Sequence, residues 1–477
     1  MSYQYDMIVI GGGAAGLTAA GMSALLGAKT ALIERQRLGG ECTWTGCIPS
    51  KTLLRTAKAV HQIKTAERFG LTATEAQFEF LKIMDHVRAT RRHVYENTDA
   101  PPEIEKLGVE VIAGSARFLN SHAIEIFVES SGISRRLSSR FFIIATGSRP
   151  RTPGFSENTL TNETIFELKA QPRRLLVMGA GPVGVEMAQA FTRLGSEVRI
   201  ITPGKRILPR DDAEHAGHLQ EQLASEGVAF IFERKVASFD EGAATLDSGE
   251  VLMCDTLLAA MGREPRVEDL QLQDAGVQCG ESGIEIDRRC RTSQRNIYAV
   301  GDVTGKYQFT HMAEHMSKVA VTNTILRWPQ ALDEKHLVWA TFTDPELAHL
   351  GESELELRER GKQFGVYRFA FSELDRAITD NETRGEVKVF ADRRGRILGA
   401  SILGAKAGEM ISEYALAMRH GLRLTQIANT IHPYPTYLLA NRKAADRFVA
   451  RQLDSPLLEL LGRILRYRGQ RRGSRVL

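Results

Sequence analysis

Two cysteines five positions apart are the residues best suited to chemistry in this 477-residue chain. Cys42 and Cys47 lie in the segment GGECTWTGCIPSK. Five residues of ideal helix rise by about 7.5 Å, whereas a disulfide needs Cα atoms within roughly 4.4–6.8 Å. The segment must therefore depart from an ideal helix if the two sulfurs are to bond, and Gly46 gives it the freedom to do so.

The residues after the pair favour a thiolate. Pro49 suits the first turn of a helix, so a helix is predicted to begin around residue 49. A helix N-terminus near Cys47 would stabilise its thiolate, and Lys51 adds a cation one turn further on. We interpret the pair as a redox-active dithiol/disulfide, and two ordinary buried cysteines are the structural alternative.

The pair follows the first copy of an internal repeat. Residues 7–35 and 175–203 align without a gap, and each copy contains an apolar β run, a glycine turn, an apolar helix and a second β run. This order is typical of a βαβ unit. The two copies predict an α/β protein with two Rossmann-like dinucleotide-binding domains.

The first copy carries Gly11, Gly13 and Gly16 in the pattern G-x-G-x-x-G. The first glycine permits a tight turn, the second lets backbone N–H groups approach a pyrophosphate, and the third lets helix pack on strand. The helix N-terminus adds donors and a partial positive charge for the phosphates. Glu34 ends the second β run, where an acid would bind a ribose 2′-OH.

The second copy carries Gly179, Gly181 and Gly184, but Thr202 stands at the position of the acid. Lys205 and Arg206 follow, and they could pair with a 2′-phosphate. We therefore expect NADPH to be preferred over NADH. The alternative is that both cations are solvated loop residues.

Composition excludes several other classes of protein. A net charge of +4 gives no sign of a nucleic-acid partner. No run of 18 apolar residues and no secretory signal pattern is present, so we expect no membrane span. Five cysteines in an irregular pattern do not make a disulfide scaffold, and a reducing cytoplasm is the expected location.

Several motifs together resemble the class I pyridine nucleotide-disulfide oxidoreductases, which include dihydrolipoamide dehydrogenase, glutathione reductase and mercuric reductase. The matching segments are GGECTWTGCIPSK, IIATGSRP (143–150), the second glycine motif running into Glu186, AAMGREP (259–265), NIYAVGDV (296–303) and FTDPELAHLG (342–351). The resemblance implies an FAD-binding domain over 1–150 and 266–335, an NAD(P)-binding domain over 151–265, and a homodimer formed through an α+β domain over 336–455. Residues 456–477 would form a basic tail, either solvated or in contact with an anionic surface.

The resemblance also implies roles for individual residues. FAD would bind the first glycine motif, with Asp302 near its ribityl and pyrophosphate portion. Cys47 would be the thiol nearest the flavin and Cys42 the interchange thiol, while Lys51 would lie beside flavin N5 and pair with Glu186. The same motifs assign further contacts with the two cofactors to Ala15, Arg35, Gly40, Thr146, Gly147, Gly262 and Gly301.

The chain departs from the disulfide-reducing members near its C-terminus. In His432-Pro433-Tyr434-Pro435-Thr436, the Pro-Thr pair places Tyr434 at the position of the family's histidine base, and Leu439 at that of its glutamate. A histidine with a pKa near 6.5 can protonate a leaving thiolate, whereas a tyrosine with a pKa near 10 is a poor base at neutral pH. Mercuric reductases also have a tyrosine at this position, and a soft metal ion has no thiol leaving group to protonate.

These residues favour an FAD-dependent NAD(P)H oxidoreductase of the mercuric-reductase-like branch, which reduces a metal ion or another small acceptor such as a quinone. The cysteine pair that delivers metal in mercuric reductases is absent from LGRILRYRGQRRGSRVL at the end of the chain. One alternative is a disulfide reductase of the dihydrolipoamide dehydrogenase or glutathione reductase type. Another is a redox-sensing or electron-relay flavoprotein whose protein partner contacts the basic tail. No resident metal site is predicted.

Overall fold

The computed structural model describes residues 3–128, 132–155, 159–240, 242–453, 461 and 464–465. The arginines of the predicted basic tail, at 463, 466, 468, 471, 472 and 475, lie outside the described residues. None of the helices in the described part combines the length and the apolar composition that crossing a membrane requires.

The chain begins with a parallel sheet that is covered by helices. Its first strand, YDMIVI, is buried at every position except Asp6, as expected of a strand in the interior of a parallel sheet. The elements of this part are β1 (Tyr5–Ile10), α1 (Ala14–Leu25), β2 (Thr30–Glu34), α2 (Gly40–Trp44), α3 (Cys47–Lys64), α4 (Phe80–Val94), α5 (Pro101–Glu105), β3 (Val109–Ala113), β4 (Ser115–Asn120), β5 (Ala123–Val128), β6 (Ile133–Ile144) and β7 (Ser148–Pro150).

These strands pair in the order β3-β2-β1-β6-β5-β4. β1 runs parallel to β2 and β6, with Ile8 opposite Ala31 on one side and Phe142 on the other. β4 and β5 pair antiparallel with each other, and β5 pairs antiparallel with the first half of β6. The carboxyl ends of β1 and β2 therefore lie side by side, and this places the first glycine turn next to Glu34.

The second repeat builds a sheet of the same kind, in the order β11-β10-β9-β15-β8. Its strands β9 and β10 are parallel, and they flank a helix that starts directly after the second glycine turn. The elements of this part are β8 (Thr159–Leu160), β9 (Arg174–Met178), α6 (Pro182–Arg193), β10 (Glu197–Thr202), α7 (Ala213–Glu226), β11 (Ala229–Phe232), β12 (Val236–Asp240), β13 (Ala243–Leu246), β14 (Val251–Met253) and β15 (Thr256–Ala259).

The chain then returns to the first sheet. The elements of the return are β16 (Arg263–Pro265), β17 (Cys279–Gly280), β18 (Gly283–Ile284), β19 (Ile297–Ala299) and α8 (Thr310–Val321). β16 pairs antiparallel with β7, so the outgoing and returning connections lie together, and β19 joins β6 in parallel. α8 packs along α1, where Ser317 Oγ donates a hydrogen bond to the Ala15 carbonyl at 2.8 Å.

The C-terminal part is an antiparallel sheet in the order β20-β21-β24-β23-β22, with helices packed on it. Tyr414 and Phe448, from two of these helices, are among the largest fully buried side chains and lie in its core. The elements are β20 (Val338–Thr341), β21 (Glu346–Gly351), α9 (Glu354–Glu359), β22 (Gly365–Ala370), α10 (Asp375–Thr379), β23 (Glu386–Ala391), β24 (Ile397–Gly404), α11 (Ala407–Arg419), α12 (Leu424–Asn429) and α13 (Leu439–Leu453). The predicted fold class is confirmed.

The helix after the cysteine pair begins close to the predicted position. Helix α3 begins at Cys47, two residues before the predicted start, with Gly46 as its N-cap (φ −123°, ψ −110°). Pro49 is tolerated inside the first turn because the first four N–H groups of a helix have no partner within it. Cys47 is therefore the first residue of the helix.

Candidate active site

The first glycine turn forms an open cradle at the start of α1. A Cβ at Gly11 (φ +106°) would lie 2.3 Å from the Ala145 carbonyl oxygen, and a Cβ at Gly16 would lie 1.7 Å from the Gly11 carbonyl oxygen. Packing of strand, turn and helix therefore requires both glycines. Gly13 is the N-cap of α1, and the nearest atom to a Cβ there would be Gly40 Cα, 3.8 Å away. Gly13 thus leaves space in front of the helix N-terminus, as a bound pyrophosphate requires.

The second glycine turn repeats this arrangement. A Cβ at Gly179 (φ +111°) would lie 2.3 Å from the Ala260 carbonyl oxygen, and one at Gly184 would lie 2.1 Å from the Gly179 carbonyl oxygen. A Cβ at Gly181, the N-cap of α6, would have no described atom within 4 Å. Both cradles therefore fit the diphosphate of a dinucleotide.

The two units differ at the end of their second strand. Glu34 Oε2 accepts a hydrogen bond from the Gly12 N–H at 2.6 Å, and its Oε1 accepts one from the Gln36 N–H at 2.8 Å. The carboxylate is therefore held at the mouth of the first turn. In the second unit, Thr202 Oγ1 accepts a hydrogen bond from the Gly204 N–H at 3.2 Å, and no charge stands in the position of the acid.

The two cations that follow Thr202 have different surroundings. The Arg206 guanidinium donates to backbone carbonyls of its own loop, including Leu208 at 2.7 Å and Pro209 at 2.9 Å. The expectation that Arg206 pairs with a 2′-phosphate is not supported by this geometry, because its terminal nitrogens hold the loop. Lys205 is 87% exposed, with its ammonium 3.9 Å from a Glu233 carboxylate oxygen.

Other predicted FAD contacts surround the first cradle. A Cβ at Gly40 (φ +55°) would lie 2.6 Å from Gly13 Cα, so the redox segment passes directly against the glycine turn. A Cβ at Gly301 (φ +75°) would lie 3.4 Å from the Ala15 Cβ, so the return segment closes on the same helix. Arg35 is exposed beside Glu34.

The predicted contacts at the connections between the units lie close together in the fold. Thr146 Oγ1 donates to the Arg266 carbonyl at 2.7 Å and so ties the outgoing connection to the returning one. Gly147 (φ +70°) and Gly262 (φ +102°) both have left-handed backbones, and a Cβ on either would meet no described atom within 4 Å. Thr146 and Gly147 lie just before β7 and Gly262 lies just before β16, where the chain passes between the two nucleotide units.

Asp302 follows β19 and is linked to the same connections. Its Oδ2 accepts a hydrogen bond from Ser148 Oγ at 2.6 Å and lies 3.7 Å from Arg263 Nε. Burial raises the pKa of Asp302, and the Ser148 hydrogen bond and the Arg263 charge oppose this effect. The Asp302 side chain is therefore held in place at the first sheet by Ser148 and Arg263.

Cys42 and Cys47 are brought together as a pair of free thiols. The hydrogen bond that Cys42 donates is the main cause that lowers the pKa of Cys47 from 9.0 to about 6, with further lowering from Thr310 and the Lys51 charge. The same hydrogen bond, together with burial, raises the pKa of Cys42 far above its usual range. At neutral pH, this arrangement favours a thiolate at Cys47 and a thiol at Cys42.

Thr310 was not predicted as a site residue. Its Oγ1 lies 3.3 Å from Cys47 Sγ, and it is the first residue of α8. A thiolate can only accept, so in that state the hydroxyl must donate to the sulfur. The residue contacts Cys47 only because α8 returns to the first sheet, and no motif in the sequence indicates this contact.

The predicted pair of Lys51 and Glu186 is present and joins α3 to α6. Lys51 Nζ lies 2.9 Å from Glu186 Oε2 and 3.2 Å from Oε1, and the Glu186 side chain is 5% exposed. The Phe342 N–H donates to Glu186 Oε1 at 2.9 Å, and Lys51 Nζ lies 4.6 Å from the centre of the Phe342 ring. The redox helix α3, helix α6 of the second nucleotide unit and the C-terminal part of the chain thus meet at one ion pair. This ion pair lies one turn along α3 from Cys47.

Tyr434 lies apart from this cluster, on the surface of the C-terminal domain. It is 69% exposed, and its hydroxyl donates to Asp375 Oδ2 at 2.9 Å. That hydrogen bond raises the pKa of Tyr434 further from neutrality. Within the described residues of one chain, the structure gives it no hydrogen bond to the cysteine pair.

The neighbouring histidine is oriented inwards. The His432 side chain is 2% exposed, with Nε2 2.7 Å from Glu413 Oε1 and Nδ1 2.9 Å from the Thr430 carbonyl oxygen. Both ring nitrogens therefore hold the segment around residue 432 in place. This agrees with the prediction that Tyr434, and not His432, stands at the position of the family's base. Leu439 begins α13 and is buried.

Comparison with known proteins identifies the family. The pyridine nucleotide-disulphide oxidoreductase family matches residues 5–317, and its dimerisation domain matches residues 338–445. A dihydrolipoyl dehydrogenase of Chlamydia muridarum is 32% identical over 468 residues, which cover 96% of this chain and 98% of that protein. A mercuric reductase of Bacillus cereus is also 32% identical, over 91% of this chain and 70% of that protein.

A solved structure gives the same result. The Cu(II) complex of the HOCl-induced flavoprotein disulfide reductase RclA from Escherichia coli superposes with a TM-score of 0.82 and 27% identity, covering 94% of this chain and 99% of that chain. The chain therefore belongs to the class I pyridine nucleotide-disulfide oxidoreductases. It is an enzyme of that class, whose typical cofactors are FAD and NAD(P)H, and its dimerisation domain implies a homodimer.

Proposed function

We propose that this chain catalyses the transfer of electrons from NADPH or NADH, through FAD, to the Cys42–Cys47 pair, and from there to a small acceptor. The arrangement around Cys47 is the observation that carries the proposal. Thr310 Oγ1 lies 3.3 Å from its sulfur, Cys42 is the main cause of its lowered pKa, and Lys51 lies one turn away in a pair with Glu186. A structural cysteine has no need of a lowered pKa, whereas a redox thiol does.

Residues of this chain would perform the sulfur half of the cycle. FAD, held by the first cradle and Asp302, would supply the chemistry that takes up a hydride from the nicotinamide and passes its two electrons to the disulfide. Two electrons and one proton then break the S–S bond and leave a thiol on Cys42 and a thiolate on Cys47. Cys42, which is partly exposed, would meet the acceptor, and the pair would return to the disulfide as the acceptor takes two electrons.

The acceptor we favour is a metal ion or another small oxidant that releases no thiol. Tyr434 supports this choice, because its phenol is bonded to Asp375 and its pKa is raised rather than lowered toward neutrality. Leu439 also leaves the acid position without a carboxylate. Mercuric reductases are among the relatives of this chain, and the similar RclA structure is a Cu(II) complex.

An organic disulfide is the second candidate, and the names of the relatives support it better. Similar relatives are more often called dihydrolipoyl dehydrogenase than mercuric reductase. A disulfide acceptor would need a proton donor other than the missing histidine. If the partner subunit completes the site, its Tyr434 is the residue that would take the position of the proton donor.

The choice of nicotinamide depends on fewer residues than the sequence suggested. Thr202 leaves the position of the acid uncharged, and Lys205 is exposed beside it, whereas Arg206 is held by its loop. We keep NADPH as the preferred donor. Glu233 near Lys205 reduces the positive charge available to a 2′-phosphate.

An acceptor screen tests the proposal. The purified FAD-loaded dimer is assayed with both nicotinamides against Hg(II), Cu(II), a quinone, oxidised glutathione and lipoamide. We expect turnover with a metal ion or a quinone. The Cys42→Ser variant should strongly reduce turnover with the metal ion. Turnover with lipoamide at a rate equal to or above that with the metal ions would replace the first candidate with the second.

A further inference from the structure

The turn between the two cysteines is held by a buried amide from outside the redox segment. Asn162 follows β8, on the connection that enters the NAD(P) unit, and it is 8% exposed. Its Nδ2 donates to Glu41 Oε1 at 3.0 Å and to the Thr45 carbonyl at 3.2 Å. A single side chain therefore contacts the residue before Cys42 and the residue at the end of the turn that leads to Cys47.

Arg263 closes the arrangement. Its Nη1 donates to Asn162 Oδ1 at 3.1 Å, and its Nη2 donates to Glu41 Oε2. Its Nε donates to Ser148 Oγ at 2.8 Å on the neighbouring connection. Glu41, Asn162 and Arg263 thus form a closed ring of hydrogen bonds, which we call the redox-turn clasp.

The clasp acts where the helix is interrupted. α2 ends at Trp44 and α3 begins at Cys47, so the last carbonyls of α2 have no partner further along the same helix. The Trp44 carbonyl instead accepts from Arg91 Nη1 at 2.7 Å, and the Thr45 carbonyl accepts from Asn162. Buried donors from outside the segment therefore stabilise the break that allows the two sulfurs to approach.

Glu41 depends on the same partners. Desolvation of its carboxyl raises the pKa of Glu41 to about 7, while Arg263 opposes the effect and the Asp302 and Cys47 charges add to it. The Glu41 side chain is 36% exposed, and its described hydrogen-bond partners are Asn162 and Arg263. Loss of Asn162 would therefore free the Thr45 carbonyl and leave Arg263 as the remaining described partner of Glu41.

We propose that Asn162, acting with Glu41 and Arg263, is a positioning element that holds the interrupted helix between Cys42 and Cys47 and so sets their thiol–disulfide equilibrium. The inference rests on the proposed function, because it concerns the same cysteine pair. The clasp residues exchange no electrons; two electrons and one proton still convert the disulfide into a thiol and a thiolate. Without the clasp, the 44–47 backbone can relax toward a continuous helix, which separates the sulfurs and favours the dithiol.

The test is the thiol–disulfide equilibrium constant of Asn162→Ala in the purified FAD-loaded dimer. Wild type and variant are equilibrated anaerobically in glutathione buffers of graded ratio, and the free thiols are alkylated and counted by mass spectrometry of the 42–47 peptide. We expect the variant to shift toward the dithiol by about threefold or more, since two donor contacts are lost.

Asn323→Ala is the matched control. Asn323 Nδ2 also donates to two carbonyls, those of Val319 and Gln330, each at 2.8 Å, but on the segment after α8. Its removal should leave the equilibrium unchanged. An equal shift in both variants, or no shift in a folded Asn162→Ala, would overturn the proposal.

Folding and the proposed function are checked separately. If thermal unfolding shows that Asn162→Ala does not fold, Asn162→Ser, which keeps a hydroxyl, is judged by the same criterion. A wild-type protein in which the pair does not oxidise and reduce at all would defeat the proposed function. A wild type that cycles normally, beside a variant with the same equilibrium constant, would defeat the clasp alone.

Discussion

The two glycine-turn units have nearly the same backbone and different surroundings. Gly11 and Gly179 both adopt left-handed backbones, and a Cβ on either would lie 2.3 Å from a carbonyl of the neighbouring strand. Two other segments border the first cradle, because Gly40 approaches Gly13 and Gly301 approaches Ala15. The second remains open in front of Gly181. The shared turn explains why each unit suits a dinucleotide, and the difference in surroundings predicts that the first unit retains its dinucleotide while the second exchanges it.

The units also differ in charge and meet at one ion pair. The first holds the Glu34 carboxylate at its turn, whereas the second has the neutral Thr202 there. Lys51, on the redox helix, is paired with Glu186 on the helix of the second unit. Under the proposed function electrons pass this boundary, so substitutions on its two sides should separate cofactor retention from hydride transfer.

The largest expected effect comes from adding one methyl group to each turn. Gly16→Ala should abolish FAD retention, because its Cβ would lie 1.7 Å from a backbone carbonyl that cannot move away. Gly184→Ala should keep FAD but lose reduction by either nicotinamide. The flavin absorbance of the purified proteins and anaerobic reduction by NADPH measure the two effects. Gly217→Ala, whose Cβ would meet nothing within 4 Å, is the control.

The cysteine pair separates the flavin side of the site from the acceptor side. Cys47→Ser should abolish the long-wavelength absorbance of the two-electron-reduced enzyme, because it removes the thiolate proposed to lie against the flavin. Cys42→Ser should keep or enhance this absorbance, since it leaves the thiolate without its disulfide partner. Equal loss of absorbance in both variants would contradict the assigned order of the two thiols.

The ion pair tests how strongly the boundary couples the two units. Lys51→Met should slow flavin reduction by about tenfold or more, equivalent to ~1.4 kcal/mol of activation free energy, because it leaves Glu186 without its cation. Stopped-flow reduction by NADPH measures the rate. Lys64→Met removes a lysine that donates to the Arg193 carbonyl, at the other end of the same helices, and should have little effect.

The pH dependence of the thiolate tests the hydroxyl that the fold brings to it. The pKa of Cys47 is lowered to about 6, so its thiolate absorbance should be present at neutral pH and disappear as the pH falls through about 6. Thr310→Val should raise that midpoint by about one unit, the equivalent of one hydrogen bond. Thr310→Ser should restore the wild-type midpoint. An unchanged midpoint in the valine variant would show that Thr310 does not stabilise the thiolate.

The smallest expected effect is a change of nicotinamide preference. Thr202→Glu places in the second unit the acid that the first unit has, and it should shift the ratio of kcat/KM for NADPH over NADH toward NADH by about tenfold. Steady-state assays with both donors measure the ratio. Wild-type protein that already prefers NADH would show that Lys205 does not bind a 2′-phosphate.

Much of the fold and part of the site were predictable from local patterns. Glycine spacing and apolar runs predicted both βαβ units, and the family resemblance implied the Lys51–Glu186 pair that the structure contains. Pro49 predicted the start of α3 to within two residues, and the helix begins after its N-cap residue Gly46. The carbonyls of its own loop compete for the Arg206 guanidinium, and this contact is not indicated by residue spacing.

The sequence by itself determined the parts whose physics is local. A glycine with a positive φ, an apolar β run or a cysteine at a helix N-terminus is specified by neighbours a few residues away. Only the tertiary structure brought Thr310 to Cys47, from 263 residues further along the chain, and Asn162 and Arg263 to the redox turn. These contacts depend on how separate segments of the chain return to one sheet. Residue spacing cannot indicate a hydrogen bond of about 3 Å whose two partners lie more than a hundred positions apart in the sequence.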